Sequence, residues 1–228
     1  MITLYDLVFR DDRRPSPFCW RAKFALRHKG LAWRDEPMGF TDKQKIAFAN
    51  SQTVPVIHDG AAVVKDSWAI ACHLEQAYPD KPLFGGEIGR SFAHFTVAWV
   101  DTAVHGALFP LVVGDLYDRV RPEDQAYFRE SRGKRLGTTD FATFQAKARD
   151  KGVAAFRAAL EPARRVLRTQ PFLCGEAPAY PDYALAGAFL WARIASPFEL
   201  IEADDPVHGW RERMLDLHDG MGRKARAA

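Results

Sequence analysis

Cysteine is scarce in this sequence, and long apolar runs are absent. The three cysteines, Cys19, Cys72 and Cys174, are odd in number and far apart, which argues against a disulfide framework and against a zinc site. The seven histidines show no metal-binding spacing, so we expect no bound metal. No apolar run approaches the roughly 18 residues of a membrane span, and residues 1–14 lack a signal-peptide core. We therefore expect a cytoplasmic protein with reduced thiols and no membrane partner.

The sequence also lacks a large excess of either positive or negative charge. The chain carries 32 basic and 29 acidic residues, a net charge of +3, which is too small to imply a nucleic-acid partner. The Walker phosphate loop, the dinucleotide glycine fingerprint and the Gly-x-Ser-x-Gly elbow do not occur. Two basic clusters lack the interleaved aromatic residues of a nucleic-acid surface, and we interpret them as solvated faces or tails. They are Arg129, Arg132, Lys134 and Arg135, and Arg223, Lys224 and Arg226.

A Ser-Pro pair separates a strand pattern from a helical pattern near the N-terminus. Ile2, Leu4 and Leu7 alternate as in a strand, whereas Ser16 is a favoured N-cap and Pro17 suits the first position of a helix. The pattern predicts a helix that begins at Pro17. A serine hydroxyl there can accept a backbone N–H and donate to an anion, and the positive end of the helix dipole helps a thiol to ionise. Taken alone, such a pair is most often only a helix cap.

Two further signals lie between residues 53 and 67. The β-rich segment 53–57 contains Pro55, which favours an edge, a strand start or a bulge. A short strand at 63–65 then ends in Asp66 and Ser67, which open a helix with an apolar stripe behind them. Free N–H groups and a hydroxyl at a helix start can bind a carboxylate, although an ordinary capped helix has the same pattern.

The order of these signals resembles the N-terminal, thioredoxin-like domain of the cytosolic glutathione transferases, and the Ser-Pro-x-Cys box is similar to a glutaredoxin Cys-Pro-x-Cys box. The resemblance implies glutathione as co-substrate. In that family the first residue of the box, here Ser16, faces the glutathione sulfur. A residue before a cis proline, here Val54 before Pro55, pairs its backbone with the glutathione peptide. An acidic residue followed by serine, here Asp66 and Ser67, binds the γ-glutamyl end.

A closer resemblance is to the bacterial glutathione-dependent β-aryl etherases and their fungal relatives, and it covers nearly the whole chain. It implies a small aromatic electrophile and a homodimer. In such an enzyme the thiolate displaces an aryloxy group from a carbon next to a ketone. The segments that carry the resemblance are 2–7, 16–21, 23–30, 54–57, 66–68, 171–173, 181–184 and 205–214.

A break rich in proline and glycine at 77–89 divides the chain. We predict an α/β thioredoxin-like domain at 1–80 and an all-α domain at 88–228. The second domain should contain a long apolar helix that is kinked around Pro110 and a buried helix at 183–194.

The electrophile pocket is expected between the two domains. It should draw on the loop before Ser16 and on aromatic residues of the helical domain. Our candidates are Phe9, Phe95, Trp99, Phe109, Tyr117 and Trp191.

Two local expectations concern single residues. In glutathione transferases a capping box opens the buried helix, but here Ala179 stands where the hydroxyl belongs, so we expect Asp182 to form only half of the box. Free cysteines are usually buried, and we expect Cys19 to be buried and without glutaredoxin activity.

Two other functions stay open at this stage. One is a generic conjugating or peroxide-reducing transferase that uses the same serine. The other is a glutathione-dependent protein that binds aromatic compounds with little turnover.

Overall fold

The computed structural model describes residues 1–228 and places a four-stranded mixed sheet at the start of the chain. The strand order is β2 (Trp33–Met38), β1 (Ile2–Leu7), β3 (Val56–Asp59) and β4 (Ala62–Lys65). Strand β2 runs parallel to β1, while β3 and β4 are antiparallel to their neighbours. This is the predicted thioredoxin-like arrangement. Its elements are β1 (Ile2–Leu7), α1 (Pro17–His28), β2 (Trp33–Met38), β3 (Val56–Asp59), β4 (Ala62–Lys65) and α2 (Ser67–Ala77).

The rest of the chain is helical, which confirms the predicted fold class. A π-helical turn at Val100–Val104 connects two of the helices, and the backbone leaves the helical region at 217–219 within the last helix. The helices are α3 (Glu87–Trp99), α4 (His105–Arg119), α5 (Gln125–Leu136), α6 (Phe141–Ala159), α7 (Glu161–Leu167), α8 (Tyr180–Ala195) and α9 (Pro206–Gly220).

The long helical run Glu87–Arg119 differs from the sequence prediction at one point. It continues through Pro110, and its irregular turn lies upstream at Val100–Val104. A π-helical turn inserts one extra residue, so it rotates the side chains that follow it. By length and hydropathy this run could cross a membrane, but 56% of its most apolar window is buried within the fold. It is placed as a core helix of the helical domain.

Helix α8 packs directly on the start of α1. Phe24 stacks on Tyr183 with 5.3 Å between the ring centroids, within one apolar core that extends through both parts of the chain. At Gly187 an added Cβ would lie 2.5 Å from the carbonyl oxygen of Pro17, so only glycine allows this approach. The contact fixes the N-terminal turn of α1 against the helical domain.

The expectation of half a capping box at α8 is confirmed. The Asp182 carboxylate accepts the Ala179 backbone N–H at 3.2 Å, and Ala179 has no side-chain oxygen to return the bond. The same buried carboxylate also accepts the backbone N–H of Leu173 at 2.7 Å and the indole N–H of Trp210 at 2.8 Å. Asp182 therefore ties α8 to α9 and to the loop before α8.

Candidate active site

Ser16 is the N-cap of α1, as the sequence predicts. Its Oγ accepts the backbone N–H of Cys19 at 3.2 Å, while its own O–H donates to no group of the protein. The residue is 5% exposed, and it lines a cavity of about 390 Å³ between the sheet and the helices. The hydroxyl thus has a free proton and lies at the positive end of a helix.

The Cys19 thiol, one turn further along α1, is unsuited to thiolate chemistry. It is 1% exposed, which agrees with the expected burial. Burial raises the pKa of this thiol well above its ordinary value, and the negative charge of Asp6 adds to the shift. A thiol that stays protonated is a poor nucleophile, so Cys19 serves the packing of α1.

The Val54–Pro55 peptide bond is cis, as the resemblance implies. Val54 lines the same cavity as Ser16, and its backbone N–H and C=O make no hydrogen bond within the protein. These two groups are therefore free to pair with an extended peptide. The carbonyl of Pro55 accepts the N–H of Asp66 at 3.2 Å, which holds the start of α2 beside this segment.

Asp66 and Ser67 lie beside the cavity rather than in its wall. Asp66 has a positive φ of 76°, and its Oδ1 caps α2 by accepting the N–H groups of Trp68 and Ala69 at 2.9 and 3.0 Å. Those two N–H groups are thus already used, whereas the backbone N–H of Ser67, the first residue of α2, makes no hydrogen bond within the protein. Two side-chain groups also make no hydrogen bond within the protein: the second oxygen of the exposed Asp66 and the hydroxyl of Ser67, a residue that is 2% exposed.

Three of the six aromatic candidates line the cavity: Phe9, Phe109 and Trp191. The rings of Phe109 and Trp191 are nearly parallel, with their centroids 6.1 Å apart. A flat aromatic ligand is the guest that such walls favour. None of the charged residues 10–14 lines the cavity, and within this loop Arg13 pairs with Asp11 and Arg14 with Asp12.

Phe95, Trp99 and Tyr117 do not line this cavity, but Phe95 and Trp99 line a second one together with His28 of α1 and Pro82. Phe95 is 73% exposed on α3, Trp99 donates its indole N–H to the carbonyl of Ala159 at 3.2 Å, and Tyr117 packs against Phe141. The physical reason is helical geometry, since each step of one residue turns a side chain by about 100°.

Several residues of the cavity wall were missed from the sequence. Asp101, His105 and Phe109 follow at intervals of four and share one helix face, which is a signal that could have identified this wall. The others come from separate elements, with no common pattern. The missed residues with polar or aromatic side chains are Phe18, Phe40, Gln52, Thr53, Asp101, His105, Tyr127, Phe128, Arg132 and Arg135.

His105 is held in the cavity wall as a neutral imidazole. It is 9% exposed, and the rings of Phe18 and Trp191 contact it edge-on with centroids 5.5 Å away. Burial lowers the pKa of His105 to about 3, and the positive charge of Arg21 contributes. Its Nδ1 lies 3.5 Å from the carboxylate of Asp101.

This histidine should make the protein less stable in acid. Because its folded-state pKa is depressed from an ordinary value of 6.5, the unfolded chain binds the proton more readily, and stability falls as the pH drops below that value. The variant His105→Phe keeps an aromatic ring but cannot titrate. Between pH 7 and pH 5 its free energy of unfolding should fall by about 2 kcal/mol less than that of the wild type. Urea unfolding at both pH values measures the difference. An identical pH dependence in the two proteins would contradict the neutral, buried imidazole.

Comparisons with known proteins point to one family. The sequence-family model of the glutathione S-transferase N-terminal domain matches residues 15–77, and that of the glutathione S-transferase C-terminal domain matches residues 91–217. A zeta class glutathione S-transferase of Euphorbia esula is 26% identical over 115 residues, which are 46% of this chain and 50% of that protein. The chain thus matches about half the length of this curated relative.

Solved structures of fungal glutathione transferases are similar over nearly the full length. GSTFuA3 of Phanerochaete chrysosporium has a TM-score of 0.75 and 27% identity, with 98% of this chain and 93% of that chain covered. CsGST63524 of Ceriporiopsis subvermispora, solved in complex with glutathione, has a TM-score of 0.74 and 23% identity, with 98% and 94% covered. At 23% identity, the similarity to CsGST63524 is evidence for the fold alone.

Proposed function

Because the chain belongs to the glutathione S-transferase family, whose members use glutathione as co-substrate, we propose that it transfers the glutathione thiolate to an aromatic electrophile. The observation that carries this proposal is the Ser16 hydroxyl. It is the N-cap of α1, has a free proton, and opens onto the cavity that Phe109 and Trp191 line. The nucleophile and the aromatic substrate would therefore meet at one place.

The proposed glutathione-binding site uses the free polar groups near the starts of α1 and α2. The unpaired N–H and C=O of Val54 would pair with the peptide of glutathione. At the start of α2, the Ser67 hydroxyl would donate to the γ-glutamyl carboxylate, and the free oxygen of Asp66 would accept from its ammonium group. The sulfur would then lie toward Ser16.

The proposed reaction has two steps, ionisation of the glutathione thiol and attack of the thiolate on the electrophile. Ser16 donates its O–H to the sulfur and, with the N-terminus of α1, lowers the thiol pKa by about one unit or more from 8.5, the proton passing to solvent. The thiolate then forms a bond to the electrophilic carbon, and the leaving group departs with its bonding electron pair. In the etherase version, which the sequence resemblance suggests, the leaving group is a phenolate.

The exposed apolar face of α3 supports the homodimer that the resemblance implies. Ile88, Phe92 and Phe95 all project from this helix into solvent. A contiguous apolar face of this kind is the surface that a second copy would cover. We further propose that the protein works in the cytoplasm, where glutathione and reduced thiols are found.

Turnover of a chromogenic β-aryl ketone ether tests the reaction. With glutathione present, we expect phenolate to appear in proportion to the glutathione conjugate. Mass spectrometry of the product and the absorbance of the phenolate measure the two quantities. Conjugation of an aryl chloride without phenolate release would show a generic transferase, which contradicts the etherase version only. Tight binding of the aromatic compound with no turnover of either substrate would contradict the transferase proposal and indicate a protein that only binds aromatic compounds.

A further inference from the structure

Two arginines of α5 face the cavity without a counterion. Arg132 and Arg135 both line it, one helical turn apart, and neither forms an ion pair with any carboxylate of the protein. Their neighbour Lys134, by contrast, points outward and pairs with Glu130 at 2.7 Å. The basic cluster that the sequence suggested to be solvated is therefore divided between the surface and the cavity.

Aromatic rings hold these two guanidinium groups in place. The guanidinium carbon of Arg132 lies 5.0 Å from the ring centroids of both Phe40 and Phe128. That of Arg135 lies 4.8 Å from the ring centroid of Phe109, at the rim. Cation–π contacts of this kind orient a guanidinium without using its N–H donors, and Arg132 uses one of these donors in a hydrogen bond to Ser131 Oγ at 3.0 Å.

The charge of the cavity wall is not balanced by its acidic residues. Asp101 is the carboxylate of the wall, and the buried Arg21 already pairs with it at 2.6 Å. His105 is neutral, since burial lowers its pKa to about 3. Arg132 and Arg135 thus leave an excess of positive charge. Arg132 is half-buried, and since partial burial of an unpaired charge is unfavourable, an anionic guest would relieve it, while Arg135 is exposed.

We propose that the cavity selects aromatic electrophiles that carry a carboxylate, and that Arg132 and Arg135 bind this group. The inference rests on the proposed function, because the aromatic electrophile is the second substrate of that reaction. The planar guanidinium forms two parallel hydrogen bonds to a carboxylate, a geometry that lysine does not offer. The ring of the substrate would lie against Phe109 and Trp191, with its reacting carbon toward Ser16.

Binding without turnover tests the selectivity directly. The probes are nitrobenzoate and nitrobenzamide with the same substitution pattern, which share their shape and differ in charge. We expect calorimetry to show that the wild type binds the benzoate about tenfold or more tightly than the amide. The variant with both Arg132→Gln and Arg135→Gln should lose this preference, and the single Arg135→Gln at the rim should weaken it. Equal binding of the two probes by the wild type would overturn the proposal.

Arg129→Gln is the matched control on the same helix. Arg129 lies outside the cavity wall and donates to the hydroxyl of Tyr117, so this variant removes one positive charge of α5 and replaces no residue of the wall. It should keep the wild-type preference for the benzoate. A loss as large as that of Arg135→Gln would mean that the overall field of the helix acts, and would contradict direct contact.

Kinetics separate this proposal from a role in glutathione binding. The substrates are chloronitrobenzoate and the matching amide, in which the thiolate sulfur bonds to the carbon that bears chlorine and chloride leaves with the bonding pair. In the double variant the ratio of kcat/KM for acid over amide should fall about tenfold or more, with an unchanged KM for glutathione. A rise in that KM with both substrates would assign the arginines to glutathione and overturn the proposal. Absence of turnover with both would contradict the proposed function instead, and calorimetry would still decide the selectivity.

Discussion

Replacing Ser16 by alanine is expected to lower kcat/KM for glutathione conjugation by about 10²-fold, the typical effect of removing one donor to a developing or stabilised anion. The physical reason is the free O–H of Ser16, which no acceptor of the protein engages. Without it the sulfur keeps only the N-terminus of α1 as a positive partner. The thiol pKa of bound glutathione should therefore rise, and ultraviolet absorbance of the thiolate as a function of pH measures it.

Two effects of this variant must be separated, because Ser16 also caps α1. Loss of the cap should cost about 1 kcal/mol of stability, which denaturant unfolding reports independently of activity. Ser16→Thr keeps a hydroxyl at the same position, so it should retain most of the activity and of the thiolate signal. If Ser16→Ala left the thiolate pKa and kcat/KM unchanged while lowering stability, Ser16 would be a helix cap and nothing more.

The largest effect on stability is expected at Asp182. Burial raises the pKa of its carboxyl, against the effect of the hydrogen bonds that it accepts. Three N–H donors meet there, from Leu173, Ala179 and Trp210. Asp182→Ala leaves them unpaired in the core, and we expect the free energy of unfolding to fall by about 3–5 kcal/mol, since each buried donor left unpaired costs about 1–3 kcal/mol.

Asp140 provides the matched control for this prediction. It is an exposed aspartate at the start of α6 whose carboxylate accepts the Thr143 N–H at 3.1 Å. Asp140→Ala should cost only about 1 kcal/mol, as for an ordinary N-cap. Urea unfolding of the two variants measures the contrast. Equal losses would show that Asp182 acts as a helix cap and not as the centre of a buried network.

The consequence of Asp182 for function is indirect. Helix α8 carries Asp182 near its start and Trp191 near its end, and at Gly187 it contacts Pro17 of α1. Destabilising α8 would therefore loosen both the cavity wall and the helix that Ser16 caps. Activity of Asp182→Ala should be lost at lower urea concentration than in the wild type, in parallel with unfolding.

The sequence by itself determined the features that depend on neighbouring residues. The start of α1 at Pro17, the helix opening at Asp66 and the half capping box at Asp182 follow from cap chemistry, which acts over three or four residues. The thioredoxin-like order of strands and helices was predicted from the order of these signals, and the cis bond at Pro55 from the resemblance that they carry.

The tertiary structure decided which of the candidate side chains form the cavity and which further residues join them. On the helical run Glu87–Arg119, Asp101, His105 and Phe109 reach the wall while Trp99 does not. Arg132 and Arg135 belong to a basic cluster whose pattern alone indicates a solvated face. They line a cavity because α5 packs against Phe40, which lies about 90 residues earlier in the chain and contacts both Phe128 and Arg132. The charge of a cavity depends on such long-range contacts, and no local pattern in the sequence encodes them.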